Sequence, residues 1–224
     1  MSHSNLKPLI TVDKRPVGNY YAELTWDQGF EQWNLVRFNT PADGNCLFHA
    51  IANSSFTNYW EEKAKDKFMS RKDIVVNLRK ELAHKLAEPL NNDLEAPTHY
   101  QILNGGNMTE FAKAVEEYKL SEMQAQLNSN NSIGYGYLEF LGNAFNLDIY
   151  ILEGARRDIY MNNESQYSIK GDRDSIVLYY ISEHYELVGI QTAKNKFDTC
   201  FAPNHSLIEF LFDKVQNYLN GRKD

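Results

Sequence analysis

The chain has 224 residues, of which 42% are hydrophobic and 13% aromatic, a composition that argues against a disordered protein. The formal net charge of −7 disfavours nucleic acid as a partner, because surfaces that bind phosphate are basic. No apolar run is long enough to span a membrane and no signal-peptide pattern is present, so we expect no membrane partner.

The two cysteines, Cys46 and Cys200, form neither a CxxC pair nor a Cys/His cluster with the spacing of a zinc site. We therefore expect no structural metal. A disulfide between the two is an alternative, but a reducing, cytoplasmic location is the simpler expectation. Cys200, which lies between Thr199 and Phe201, is expected to be structural.

The N-terminal region divides into a polar and an aromatic part. Residues 1–20 are polar apart from one short apolar run, which indicates an arm. Residues 20–39 carry too many aromatic side chains for a linker, and we expect a partly helical segment that ends in an extended stretch at 34–39. We divide the chain into an N-terminal arm packed on the body (1–30), a core (31–192) and an extension ending in a helix (193–224).

A turn-forming run at 41–45 delivers Cys46 to the start of a segment with helical apolar spacing, and we predict a helix from about Asn45 to Ser54. Asp43 is expected to be its N-cap residue. In the first helical turn, free backbone N–H groups and the helix dipole favour a thiolate. Gly44 allows a sharp turn, so that N–H groups of the 43–46 loop could converge on an oxyanion.

An isolated cysteine at such a junction is more often a buried structural residue than a nucleophile. A nucleophilic cysteine also needs a histidine base, which is normally distant in sequence. The pattern of the intervening chain alternates between helical and extended segments. We predict helices over 71–87 (capped by Ser70), from Thr109 through Leu120 towards Leu127, and over 138–145, a strand over 147–152, and loops over 89–106 and 153–173.

The strongest partner for Cys46 is His184, which opens the second of two consecutive β-type segments, 175–181 and 184–190. Glu186 lies two residues further along and is expected on the same face of the strand, where it could orient the imidazole ring. A final helix follows, capped by Asn204 or Ser206, and we expect it to pack on the domain itself.

Two motifs carry a resemblance to a known family. The string Asp43-Gly-Asn-Cys46-Leu-Phe48, followed by Ala50, resembles the catalytic-cysteine motif of the OTU (ovarian-tumour) deubiquitinases, which usually have an arginine where this chain has His49. The His184-Tyr185 pair before an apolar strand resembles the family's histidine motif. The 134–152 segment also resembles the OTU core, with tyrosine in place of a common tryptophan. We interpret His49 as a helix histidine rather than a second base.

The resemblance implies an α/β (mixed α+β) fold of the papain-like cysteine protease type, with a small central β-sheet flanked by helices. It implies a catalytic set of Cys46, His184 and Asp43. Glu186 is the candidate orienter of the histidine, at a position where members of the family commonly have Asp or Asn. Residues expected to bind substrate are Gly44, Asn45 and Tyr185, the last of which could wall a channel or simply pack in the core. No cofactor is implied.

The implied reaction is hydrolysis of isopeptide bonds at the C-terminal glycine of ubiquitin or polyubiquitin, by a protein that we expect to be a monomer. A ubiquitin-like modifier, a polyprotein substrate and a catalytically weak ubiquitin-binding module are the alternatives. The polyprotein alternative is disfavoured because the chain starts with methionine. The 89–106 loop either contacts substrate or is an ordinary surface loop. The divergent flanks and abundant asparagine suggest an effector from a virus or intracellular bacterium that acts in the host cytosol.

Overall fold

The computed structural model describes residues 21–26, 29–89, 94–103, 119–159 and 169–221. The expected arm at 1–20 and the first part of the helix expected from Thr109 lie outside these ranges. The helices are α1 (Cys46–Ser55), α2 (Thr57–Glu61), α3 (Arg71–Leu86), α4 (His99–Ile102), α5 (Leu120–Asn128), α6 (Leu138–Phe145) and α7 (Ser206–Asn220). The strands are β1 (Tyr21–Glu23), β2 (Leu35–Phe38), β3 (Lys63–Ala64), β4 (Lys67–Phe68), β5 (Asp148–Glu153), β6 (Asp158–Ile159), β7 (Ser175–Ile181), β8 (His184–Ala193) and β9 (Lys196–Asp198).

One central sheet has the strand order β1-β2-β8-β7-β5-β6, and β9 pairs with the far end of β8. All pairs are antiparallel except β5 with β7. The turn between β7 and β8 has positive φ at both Ser182 and Glu183 (49° and 63°), the conformation that suits a two-residue hairpin. The hairpin places His184 opposite Ile181, at the first position of β8.

Helices cover both faces of this sheet, which confirms the mixed α/β architecture with a flanked central sheet. α1, α3, α5 and α6 contribute to one hydrophobic core. On the other face, α7 packs its apolar side against the sheet, as expected from the spacing of Leu207, Leu211 and Val215. Its N-cap residue is His205, whose side chain accepts a hydrogen bond from the Leu207 N–H, and not the expected Asn204 or Ser206.

The central helix α1 packs chiefly on β8. Phe48, Ala50 and Ile51 are completely buried, because this helix is apolar on almost all sides and is enclosed by the sheet and the other helices. β2 runs antiparallel to β8, so the chain leaves β2 beside the start of β8 and then enters the loop before α1. The first residue of α1 and the first residue of β8 are thereby brought to the same end of the sheet.

Several short elements differ from the sequence-based expectations. The aromatic segment expected to be partly helical forms β1 and β2, and its described residues contain no helix. The charged stretch after α2 forms the β3–β4 hairpin, and part of the expected 89–106 loop forms α4, which begins with a capping box of Thr98 and Gln101. None of the helices in the described ranges is sufficiently long and apolar to cross a membrane.

Candidate active site

Cys46 is the first residue of α1, and its side chain is buried at 5% exposure. The N-cap residue is Asn45, not Asp43, and no side chain caps the helix. Asp43 lies two residues before the N-cap position, and its Oδ1 accepts a hydrogen bond from the N–H of Asn45 itself, at 3.0 Å. The N–H groups of Cys46 and Leu47 consequently have no acceptor in the described chain, so backbone donors lie beside the thiol.

The loop before Cys46 can contain only glycine at position 44. Gly44 has φ +81°, which L side chains rarely adopt, and a Cβ atom there would lie 1.9 Å from the carbonyl oxygen of Asn130. Only some of the loop N–H groups that were predicted to converge are available, since the Asn45 N–H is already bonded to Asp43. The N–H groups of Gly44, Cys46 and Leu47 remain without an acceptor in the described residues and could serve as donors to an oxyanion.

The side chain of Asn45 is 1% exposed and lies inside the loop. Its Nδ2 donates to the carbonyl of Asp43 at 3.3 Å, and its Oδ1 accepts from Nη1 of Arg79 at 2.8 Å. These contacts hold the loop together and leave little of the side chain for a substrate. Arg79 was missed by the sequence analysis, although one signal was available: it interrupts the apolar stripe of α3 between Val75 and Leu82, where a charged residue needs a specific partner.

Asp43 is the end of a chain of hydrogen bonds that runs through His49 to Tyr59. His49 is 1% exposed; its Nε2 lies 3.4 Å from Asp43 Oδ2, and its Nδ1 lies 2.8 Å from the hydroxyl of Tyr59. Since a carboxylate only accepts, the pattern assigns the proton of His49 to Nε2, and Tyr59 donates to Nδ1. His49 is thus fully engaged inside the protein, in keeping with its interpretation as a helix histidine rather than a second base.

The pKa values in this cluster follow from burial and hydrogen bonding. Burial lowers the pKa of His49 below its usual value, although Asp43 pulls in the opposite direction. For Asp43, burial alone would raise the pKa, but the Asn45 N–H and His49 outweigh it and the pKa is lowered. At neutral pH the cluster therefore consists of an ionised Asp43 that accepts from a neutral His49.

His184 is half-buried, and its Nε2 lies 3.3 Å from Oγ1 of Thr40. The hydroxyl of Thr40 also contacts the backbone carbonyl of Tyr185 at 2.5 Å. A carbonyl cannot donate, so Thr40 gives its single proton to Tyr185 and accepts from His184. This pattern assigns the proton of His184 to Nε2 and leaves Nδ1 with a free lone pair, the form that a general base requires.

Glu186 does not take the expected place beside His184. Its Oε2 accepts from Nη1 of Arg37 on β2 at 3.0 Å, and the described chain contains no hydrogen bond between Glu186 and the histidine ring. Thr40 occupies that position instead. Tyr185 is 4% exposed and packs against Tyr180 with ring centroids 4.8 Å apart, so the structure shows its core-packing role.

The described residues contain no hydrogen bond between Sγ of Cys46 and the ring of His184. Such bonds are often long in substrate-free enzymes and shorten when substrate binds. The arrangement supplies a thiol at a helix N-terminus, unpaired backbone donors beside it, and a histidine whose tautomer is set by Thr40 at the same end of the sheet. These are the components of nucleophilic acyl transfer.

A family model described as "OTU-like cysteine protease" matches residues 41–189, whereas no curated protein sequence gives a match. A solved OTU domain in complex with ubiquitin has a TM-score of 0.50 and 18% identity, covering 90% of this chain and 93% of its own. The OTUD1 OTU domain gives 0.45 and 20%, covering 71% and 88%, and the OTU protease of Taggert virus gives 0.42 and 18%, covering 77% and 88%. At 18% identity, the likeness to the first of these structures shows the fold alone.

Proposed function

Because this chain belongs to the OTU-like cysteine protease family, we propose that it is a deubiquitinase that hydrolyses the isopeptide bond at the C-terminal glycine of ubiquitin. The observation that carries the proposal is the placement of Cys46 at the first position of α1, within the matched region, at the end of the sheet where His184 begins β8. Ubiquitin is the first substrate to test because one OTU domain with this fold is in complex with it.

In the proposed reaction, Nδ1 of His184 takes the proton of the Cys46 thiol and the sulfur attacks the carbonyl carbon of the ubiquitin glycine. The carbonyl π bond opens, and its negative oxygen is stabilised by the backbone N–H groups around Cys46. When the carbonyl re-forms, the C–N bond breaks, and His184 gives its proton to the departing lysine amine. Water, deprotonated by His184, then hydrolyses the thioester and releases the ubiquitin carboxylate and the thiol.

We assign supporting roles to the neighbouring residues. Asp43 shapes the loop before Cys46 by accepting from Asn45 and His49, and does not exchange protons with substrate. Thr40 orients His184, a role for which Glu186 was the sequence-based candidate. Gly44 offers its backbone to the substrate, and the expectation that Tyr185 walls the substrate channel stays a prediction.

We further propose that the protein acts on host ubiquitin in the host cytosol. Detection of the protein inside infected host cells would test this role. An acidic protein with a net charge of −7 suits a basic partner surface. Attack on a ubiquitin-like modifier would use the same Cys46 and His184 chemistry.

The proposal is tested with ubiquitin that carries a C-terminal electrophile, reacted with the wild type, Cys46→Ala and His184→Ala and followed as a mass shift. An adduct on the wild type, its loss in Cys46→Ala and slow formation in His184→Ala are expected. An adduct only with a probe built on a ubiquitin-like modifier would change the substrate and retain the mechanism. Absence of any adduct on a folded wild type would reject the deubiquitinase and favour a binding module.

A further inference from the structure

Arg79 is a buried arginine whose hydrogen-bonding partners are all neutral. The residue is 1% exposed, and its guanidinium group lies over the ring of Phe48, 4.6 Å from the centroid. It makes five hydrogen bonds, which equals the number of its N–H donors. The acceptors are the carbonyl oxygens of Leu127, Gly44, Gln126 and Asn131 and the side-chain oxygen of Asn45.

These acceptors come from two separate segments. Nε and Nη2 bond the end of α5 and the turn after it, through Gln126, Leu127 and Asn131 at 2.6–3.0 Å. Nη1 bonds the loop before Cys46, at 2.8 Å to Asn45 and 3.3 Å to Gly44. The same two segments touch directly, since a Cβ atom on Gly44 would meet the backbone of Asn130. Arg79 therefore fixes the distance between the two segments.

The bond to Gly44 determines the orientation of one peptide group. The carbonyl of Gly44 and the N–H of Asn45 belong to the same planar unit. Arg79 holds the oxygen and Oδ1 of Asp43 holds the N–H, so the unit is fixed at both ends. The next donor in the chain is the N–H of Cys46, which has no acceptor in the described residues. The N–H of Cys46 belongs to the adjoining Asn45–Cys46 peptide, whose carbonyl oxygen accepts from the His49 N–H at 2.9 Å. Arg79 thus fixes the peptide immediately before the one that carries the donor beside the nucleophile.

A lysine could not reproduce this arrangement. Its ammonium group is a compact charge with three donors, whereas the planar guanidinium presents five donors in a fixed fork. Burial lowers the pKa of Arg79 to about 10, so the group remains protonated at neutral pH. Keeping a buried cation without a bonded carboxylate is costly, which argues that its geometry is required here.

We propose that Arg79 is a positioning residue for acyl transfer: it holds the Gly44–Asn45 peptide so that the backbone donors beside Cys46 point at the developing oxyanion. The inference rests on the proposed protease function, and it assigns to α3 and the end of α5 a part in the catalytic step. Arg79 touches neither the thiol nor the substrate in this role. Its removal should therefore affect the oxyanion-forming step and spare reactions of the thiol that form no oxyanion.

The test compares two reactions of Cys46 in the wild type and in Arg79→Lys. Hydrolysis of ubiquitin with a fluorogenic C-terminal amide forms an oxyanion, and alkylation by iodoacetamide, followed at the Cys46 peptide, does not. We expect kcat per active site to fall about tenfold or more, since loss of one oxyanion donor costs on the order of a hundredfold. KM and the alkylation rate should change less than about threefold, because loss of a donor used only in the transition state lowers kcat without weakening substrate binding.

Arg173→Lys is the matched control, because Arg173 is also buried and donates to a backbone carbonyl, but its bonds to Asp148 and Gly142 lie at β5 and α6. It should lower the unfolding temperature without changing kcat per active site. If Arg79→Lys does not fold, Asn45→Ser removes one acceptor of Arg79 and should give the same separation of kcat from alkylation.

Three results would overturn the inference. An unchanged kcat per active site in folded Arg79→Lys would reduce Arg79 to a structural residue. A parallel fall in hydrolysis and alkylation would place its effect on the thiol rather than on the oxyanion. If Cys46 of the wild type is alkylated at a normal rate but the enzyme turns over no substrate, both the proposed function and the inference are rejected. An active wild type with an unaffected variant would remove the inference alone.

Discussion

Oγ1 of Thr40 lies 3.3 Å from Nε2 of His184, and the same hydroxyl is bonded to the carbonyl of Tyr185. The carbonyl takes the only proton of the hydroxyl, so Thr40 acts as an acceptor for the histidine. In the proposed mechanism, a neutral side chain from the loop after β2 therefore orients the histidine, as a carboxylate does in many catalytic triads.

Removal of this hydroxyl should slow the reaction. Thr40→Val keeps the shape of the side chain but cannot accept from His184, so the wrong tautomer becomes populated. We expect kcat for hydrolysis of the fluorogenic ubiquitin amide to fall about tenfold to a hundredfold, up to the lower end of general-base contributions, because the base itself is retained. Thr40→Ser retains the hydroxyl and should stay within about threefold of the wild type. Equal activities of the valine and serine variants would contradict the assignment.

Glu186→Gln should mainly affect stability. Glu186 is bonded to Arg37 across the β2–β8 pair, and its side chain is 9% exposed. Loss of its charge weakens a charge-assisted hydrogen bond, for which we expect a decrease of about 1–2 kcal/mol in the free energy of unfolding, measured by urea titration. Its kcat should remain within about threefold. A fall in kcat as large as that of Thr40→Val would restore Glu186 as the orienter of His184.

Gly44→Ala should abolish labelling by the electrophilic ubiquitin probe. The new Cβ atom would collide with the carbonyl of Asn130 at 1.9 Å, and alanine is strained at φ +81°. The loop before Cys46 must therefore move. Gly134→Ala is the matched control, because nothing lies within 4 Å of its Cβ position. Normal labelling of Gly44→Ala would show that the loop tolerates displacement.

The buried His49 should give the protein an acid-sensitive stability. Its pKa is lowered in the folded state, so below about pH 6.5 the unfolded chain binds more protons and unfolding is favoured. The stability contribution is present above that pH and is lost as the pH falls towards the folded pKa. Asp43, whose folded pKa is also lowered, loses its contribution only below about pH 3.9.

Urea titrations between pH 7.5 and 5 should therefore show a slope that His49→Gln lacks. The groups around His49 are Asp43, Tyr59 and Arg71, of which Asp43 favours and Arg71 disfavours its protonation. An identical slope in wild type and His49→Gln would assign the pH dependence to another histidine.

Local sequence signals determined several parts of this protein. The helical spacing from Ile74 to Leu86, with Ser70 as the cap, predicted α3 almost to the residue, and Ser70 indeed accepts from the Asp73 N–H. The two apolar runs around Ser182 and Glu183 predicted β7 and β8. The motif around Cys46 indicated the family because its residues are consecutive. These features depend on neighbours within a few positions, so a single sequence contains them.

The tertiary structure decided the partners of these residues. Thr40 meets His184 because β2 pairs with β8, and Glu186 is drawn to Arg37 by the same pairing. Arg79 meets the Cys46 loop and the end of α5 only after three segments assemble, because its bonding partners lie up to 52 residues away from it in the sequence. Asp43 looked like a helix cap from its residue type, but a buried histidine and the Asn45 N–H took both of its oxygens. Hydrogen bonds of this kind follow from packing across long sequence separations, for which local propensity contains no signal.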